Sequence, residues 1–162
     1  MKFKFPFLPA SIRLNENDLK FFYYDVGLEQ IDNLTHIVKI SDNEISTFVK
    51  KYNIIIEKVD NNETISRDLT NIGINQIVLK CMDKENEAMA IIRHLRNAFA
   101  HYRIRKNENL FFINDFMPNQ TDITMLACIE DKLLYELVHL IVYIKEEFRE
   151  QIIKDCYENT II

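Results

Sequence analysis

The chain has only two glycines, Gly27 and Gly73, and three prolines, Pro6, Pro9 and Pro118, in 162 residues. Folds made of many short strands lean on these residues for their tight turns, so long uninterrupted elements are expected instead. The three cysteines, Cys81, Cys128 and Cys156, are odd in number and widely spaced. That excludes a closed disulfide framework and a CxxC metal clip, and the three read as reduced, buried thiols. No stretch approaches the roughly 18 uncharged residues of a membrane span. The opening residues begin like a signal peptide, but Pro6 and Pro9 break the short apolar run. A cytoplasmic protein without a membrane segment is the expectation. The absence of a glycine-rich loop also excludes nucleotide hydrolysis of the P-loop kind.

What is present is apolar material. Hydrophobic residues make up 48% of the chain and aromatics 11%, enough for the core of a single domain spanning residues 1–162. The net charge of −5 opposes a nonspecific nucleic-acid coat, which works by neutralising phosphates with Lys and Arg. The charge is uneven, however. Residues 93–106 carry Arg93, Arg96, Arg103, Arg105 and Lys106 and no acid, a local +5, so the remainder sums to −10. One basic patch on an acidic body suits a local, oriented anion site.

Hydrophobic periodicity predicts a mainly α fold. Residues 1–13 read as extended because of their prolines. Leu28, Ile31, Leu34 and Val38 recur at helical spacing within about 17–40. Ser41 and Glu44 have the capping-box pattern and open a second predicted helix running through Phe48 and Tyr52 towards Val59. Residues 64–82 read as a helix interrupted near Gly73. The clearest helix runs from about Lys84 to Tyr102, with Ala88, Ile91, Ile92, Leu95, Phe99 and Tyr102 on one stripe. About 104–129 reads as a strand-containing insertion, a small β-hairpin or meander, with its first turn at Lys106-Asn107-Glu108-Asn109. A terminal helix covers about 130–157, striped by Leu134, Leu137, Ile141, Ile144, Phe148 and Ile152. At 1.5 Å per residue it is about 40 Å long, so part of it could face a second chain.

On a helical wheel, Arg93, Arg96, Asn97, Ala100 and His101 fall on the arc opposite the apolar stripe. Ala100 adds little bulk between Arg96 and His101, leaving room for a phosphate. An imidazole titrating near neutrality can move the proton of a ribose 2′-hydroxyl, and a guanidinium can neutralise charge growing on phosphoryl oxygens. Asn97 would orient either partner. One histidine does not comfortably perform both proton transfers, so two copies across a symmetric dimer are expected. His94 lies seven residues before His101, about 10 Å of helical rise away, too far to share a metal ion. His36 and His139 read as structural histidines, and Phe21-Phe22-Tyr23-Tyr24 as core.

The run Leu95-Arg96-Asn97-Ala98-Phe99-Ala100-His101 resembles the signature of the HEPN superfamily, an Arg, a polar residue that is often Asn, a short spacer and a His. The strand-like insertion ending at Thr124-Met125 and the helix bearing Leu134, Leu137 and Ile141 extend the likeness over roughly residues 85–150. The resemblance implies an up-and-down helical bundle that dimerises, with two motifs lining one cleft. It implies a metal-independent endoribonuclease of toxin–antitoxin or phage-defence systems, needing no cofactor, with Arg96 and His101 catalytic and Asn97 supporting. Arg93, Tyr102, Arg103, Arg105 and Lys106 would hold RNA phosphates, and an antitoxin protein would be a partner. Some toxin members carry a modifiable Tyr two residues after the His; here that position is Arg103, and Tyr102 is adjacent to His101. A non-catalytic RNA- or nucleotide-binding scaffold is the alternative.

Overall fold

A computed structural model describes residues 14–25, 43–66, 71–117 and 121–158. The fold is α/β, which corrects the expectation of a mainly helical bundle. Five strands form one mixed sheet: β1 (Ile55–Val59), β2 (Gln76–Lys80), β3 (Ile104–Asn107), β4 (Leu110–Phe116) and β5 (Ile123–Glu130), in spatial order β1-β2-β5-β4-β3. Only β1 and β2 pair in parallel; the other neighbours are antiparallel. The described helices are α1 (Glu16–Leu19), continued by a π-helical stretch over Lys20–Asp25, then α2 (Asn43–Lys51), α3 (Glu87–Ala100) and α4 (Asp131–Glu158). None of them is long and apolar enough to cross a membrane.

The two strands read as helix have identifiable causes. The predicted second helix stops at Lys51 because Asn53 enters the left-handed region at φ 52°, and the amide of Ile54 bonds back to the Val49 carbonyl. This is a helix-terminating motif, and the β-branched Ile54-Ile55-Ile56 that follows favours a strand. The opening of that predicted helix at Ser41 lies outside the described residues. Strand β2 is buried at all five positions. Its side chains alternate between Ile77 and Leu79, which join the core beneath α3 and α4, and Val78 on the opposite face, which is equally buried. A strand covered on both faces loses its polar/apolar alternation, so Gln-Ile-Val-Leu-Lys carries no period of two.

The strands expected between 104 and 129 do form, and the β3–β4 turn falls at Glu108 and Asn109. They are not an insertion, however. Strand β5 is the middle strand of the sheet, joining β2 to β4. Helix α3 packs on β4 and β2, and α4 packs on β5, β4 and α2. The core gathers Ile91, Leu95 and Phe99 of α3, Leu134, Leu137 and Ile141 of α4, the inward strand residues Phe111, Ile113, Met125, Ala127 and Ile129, and Phe22. Tyr102, placed on the apolar stripe by its spacing, lies outside this core and is 65% exposed. The expected extended segment 1–13 and most of the helix expected over 17–40 lie outside the described residues.

Candidate functional site

Helix α3 is opened by Asn86, whose side chain accepts the amide of Met89. Its other end carries most of the predicted site. His101 is the C-cap; the amide of Tyr102 bonds to the Phe99 carbonyl and the amide of Arg103 to Ala98. This is a Schellman motif, whose left-handed position usually holds Gly. Here it holds Tyr102, at φ 54°. The motif turns the chain sharply into β3 and leaves His101 and Tyr102 side by side on the surface. Arg105 folds back to donate from Nη1 to the carbonyls of Tyr102 and Ile104, both at 2.8 Å. A cation there also complements the partial negative charge of the helix end. The His101 side chain makes no hydrogen bond among the described residues.

A second group lies one turn earlier, between α3 and β4, around a carboxylate that the motif does not contain. Asp115 is 1% exposed, at an irregularity in the β4–β5 register. Its two oxygens receive four donors. Oδ2 takes His94 Nδ1 at 2.8 Å and Asn97 Nδ2 at 3.2 Å, while Oδ1 takes Arg103 Nη1 at 3.2 Å and the Phe116 amide at 2.9 Å. Arg103 also stacks 4.8 Å over the Phe116 ring. Asn97 in turn accepts Arg96 Nη1 at 3.0 Å, so Arg96 reaches Asp115 through one intermediary.

His94 is fully buried, and its Nε2 faces the Lys80 carbonyl at 2.8 Å. A carbonyl only accepts, so Nε2 carries a hydrogen. Nδ1 faces the Asp115 carboxylate at 2.8 Å, so the imidazole is held between a carboxylate on one side and a carbonyl on the other. Arg93 Nη2 approaches His94 Nε2 at 3.2 Å because both donors converge on the Lys80 carbonyl. The rest of Arg93 grips Glu85, at 2.7 and 2.8 Å. Burial pushes the Glu85 carboxyl up, but the Arg93 hydrogen bond, the Met82 amide and the charges of Arg93 and His94 outweigh it and leave it below its usual value.

Lys106 belongs to a third group. Its ammonium lies 3.3 Å from buried Asp18 and 3.5 Å from Asp131, and Tyr135 donates its hydroxyl to Asp18. This ties α1, β3 and α4 together. Burial, then the adjacent Asp18 carboxylate, hold the Tyr135 phenol well above its usual value.

The structure thus divides the predicted site. Arg93, Arg96, Asn97 and Arg103 meet around His94 and Asp115. His101, Tyr102 and Arg105 share the surface corner where α3 ends, and Lys106 is turned to a different acid. Asp115, Glu85 and Asp18 were missed from sequence because their partners are 21, 8 and 88 residues away respectively. The one available signal was an acid, Asp115, following Asn114 inside an otherwise apolar strand. Among the described residues, no three His, Cys, Asp or Glu side chains are grouped as a metal ion would require. No protein-family model, curated protein or solved structure matches this chain.

Proposed function

We propose that this chain is a cytoplasmic RNA-binding protein that contacts single-stranded RNA through the corner between α3 and β3, using Tyr102 to stack a base and the neighbouring basic groups to hold phosphate. The observation that carries this reading is Tyr102 itself: an aromatic side chain, 65% exposed, kept at a left-handed position where glycine is favoured. Local strain retained at an exposed residue points to use rather than to packing. Exposed aromatics beside arginines are the usual platform for single-stranded nucleic acid. The test is fluorescence anisotropy of a labelled oligonucleotide with the full chain. Salt-sensitive binding that weakens in Tyr102→Ala and in Arg105→Ala is expected, and absence of binding at low salt overturns the reading.

A second reading, metal-independent cleavage of RNA, is favoured by one further observation. His101 presents its imidazole to solvent at the same corner, as a general acid or base must. The likeness to HEPN nucleases is now confined to Arg96, Asn97 and His101, because the helical bundle that sets this motif in that family is replaced by a mixed sheet. Cleavage that persists in a chelator and disappears in His101→Ala would establish it, with a second copy supplying the other proton transfer. Intact RNA after prolonged incubation, with binding retained, leaves the non-catalytic reading.

A further inference from the structure

We infer that the face of the sheet turned away from α3 and α4 is a binding site for a small molecule with an oxyanion at one end and an amide-like hydrogen-bonding edge at the other, Lys80 taking the oxyanion and Asn114 the edge. Strand alternation builds this face. Val78, Leu126 and Asn114 stand in one row of the register across β2, β5 and β4, and they point away from the core that contains Leu79, Met125 and Ile113. Thr124 lies two residues from Leu126 and Lys80 two residues from Val78, so both share the face. The register that pairs Leu79 with Met125 sets them side by side. Lys80, Thr124 and Asn114 thus occupy three adjacent strands, a span of about 10 Å at two strand spacings. The site is separate from the corner where α3 meets β3 and does not rest on the reading above.

Hydrogen-bonding capacity left unused on this face is the support. Asn114 is fully buried, yet neither its Nδ2 nor its Oδ1 has a hydrogen-bond partner. A buried donor and acceptor left unmade are unfavourable, and buried amides are almost always paired. Leucine has nearly the same shape and carries no such cost. Lys80 is 8% exposed, and its ammonium, which has three donors, meets the Asn61 carbonyl at 3.3 Å with no carboxylate in reach among the described residues. A buried cation without a counter-charge is still less favourable than an unpaired amide. Thr124, buried beside Lys80, makes no side-chain hydrogen bond among the described residues. One residue calls for an anion and another for a paired donor and acceptor, and a ligand with both ends satisfies them together. Val78, Leu126 and Cys128, all buried on the same face, give the part between the ends an apolar bed. At this depth the ligand is enclosed rather than held at the surface.

The full chain is titrated with uridine monophosphate and with glutaramate, following the Asn114 side-chain amide and the Lys80 ammonium by NMR. Both compounds carry an oxyanion and an amide-like edge, the oxyanion being a phosphate in one and a carboxylate in the other. At least one is expected to shift both groups along one isotherm, and whichever does so identifies the oxyanion. Uridine and butyramide keep only the edge, ribose 5-phosphate and butyrate only the oxyanion, and each is expected to bind at least about tenfold more weakly than its parent. Asn114→Leu and Lys80→Met remove the unpaired groups. Both are expected to raise the urea midpoint while weakening binding of the two-ended compound about tenfold or more. Shifts at neither group with either compound, one-ended compounds bound as tightly as their parents, or a lowered urea midpoint in either variant overturn the site. Uridine monophosphate that perturbs only Tyr102 and Arg105 also overturns it and leaves the corner reading standing.

Discussion

At Tyr102, conformation and function make opposite demands. A non-glycine residue in the left-handed region carries strain of about 1 kcal/mol or more, which glycine would relieve. Tyr102→Gly should therefore raise stability by about 1 kcal/mol in urea unfolding. If Tyr102 stacks a base, the same change should weaken single-stranded RNA binding by about 1–3 kcal/mol. A variant that gains stability and keeps its RNA affinity would assign the residue to the turn alone. Asp115 makes no such trade. Removing it leaves His94 and Arg103 without their acceptor, and loss of one partner of a buried pair costs about 3–5 kcal/mol. Asp115→Ala should accordingly lower the denaturation midpoint far more than Arg103→Ala, whose side chain is partly solvated. Arg96, Asn97 and His101 could be singled out from sequence because they share one helix and its fixed spacing. Asp115 could not, because its role depends on the packing of α3 on β4, which brings residues 21 apart into contact.

Among the elements, legibility followed exposure. Helices α3 and α4 were readable because one face of each carries the apolar residues that meet the core, giving a 3.6-residue period, while the other face is polar, solvent-exposed on α4 and half-buried on α3. The β3–β4 hairpin was readable from its polar turn. Strand β2 is buried on both faces and read as helix, and β5, though recognised as strand, gave no sign of being central. Cys128 on β5 offers a test of that burial. It is 2% exposed, and burial pushes its thiol up to about 11 from a usual 9.0. The folded state thus keeps its proton where the unfolded chain has lost it. The resulting contribution is intact below pH 9 and declines as pH rises from 9 to 11, by a total on the order of 3 kcal/mol. Tyr135 titrates in the same direction at higher pH, so the comparison is with Cys128→Ala. The stability difference between the two proteins should shift in the variant's favour across that window. A constant difference would place Cys128 in contact with solvent.

Over the whole molecule, the basic stretch that first drew attention is largely balanced from within. Arg93 is paired with Glu85, Arg103 with Asp115, and Lys106 with Asp18 and Asp131, so while the Arg93 and Lys106 pairs hold, no more than three of the five cations can meet phosphate. The sequence shows five positive charges and no acid over residues 93–106; the fold distributes them to three separate places, because acids from α1, β4 and α4 are brought in by tertiary structure. This sets a limit on how RNA binding can respond to salt. Each neutralised phosphate of a single strand contributes a slope of about −0.7 to log K against log salt. With no more than three phosphates engaged, the slope should be no steeper than about −2. A polybasic coat using all five cations would approach about −3.5. Anisotropy titrations over a range of salt concentrations separate these values. A shallow slope with affinity retained indicates that stacking at Tyr102 supplies much of the binding, since base stacking is far less sensitive to salt than phosphate contacts are. A steep slope means that the internal ion pairs of Arg93 and Lys106 open when RNA binds, and Asp18→Asn would then increase affinity by freeing Lys106.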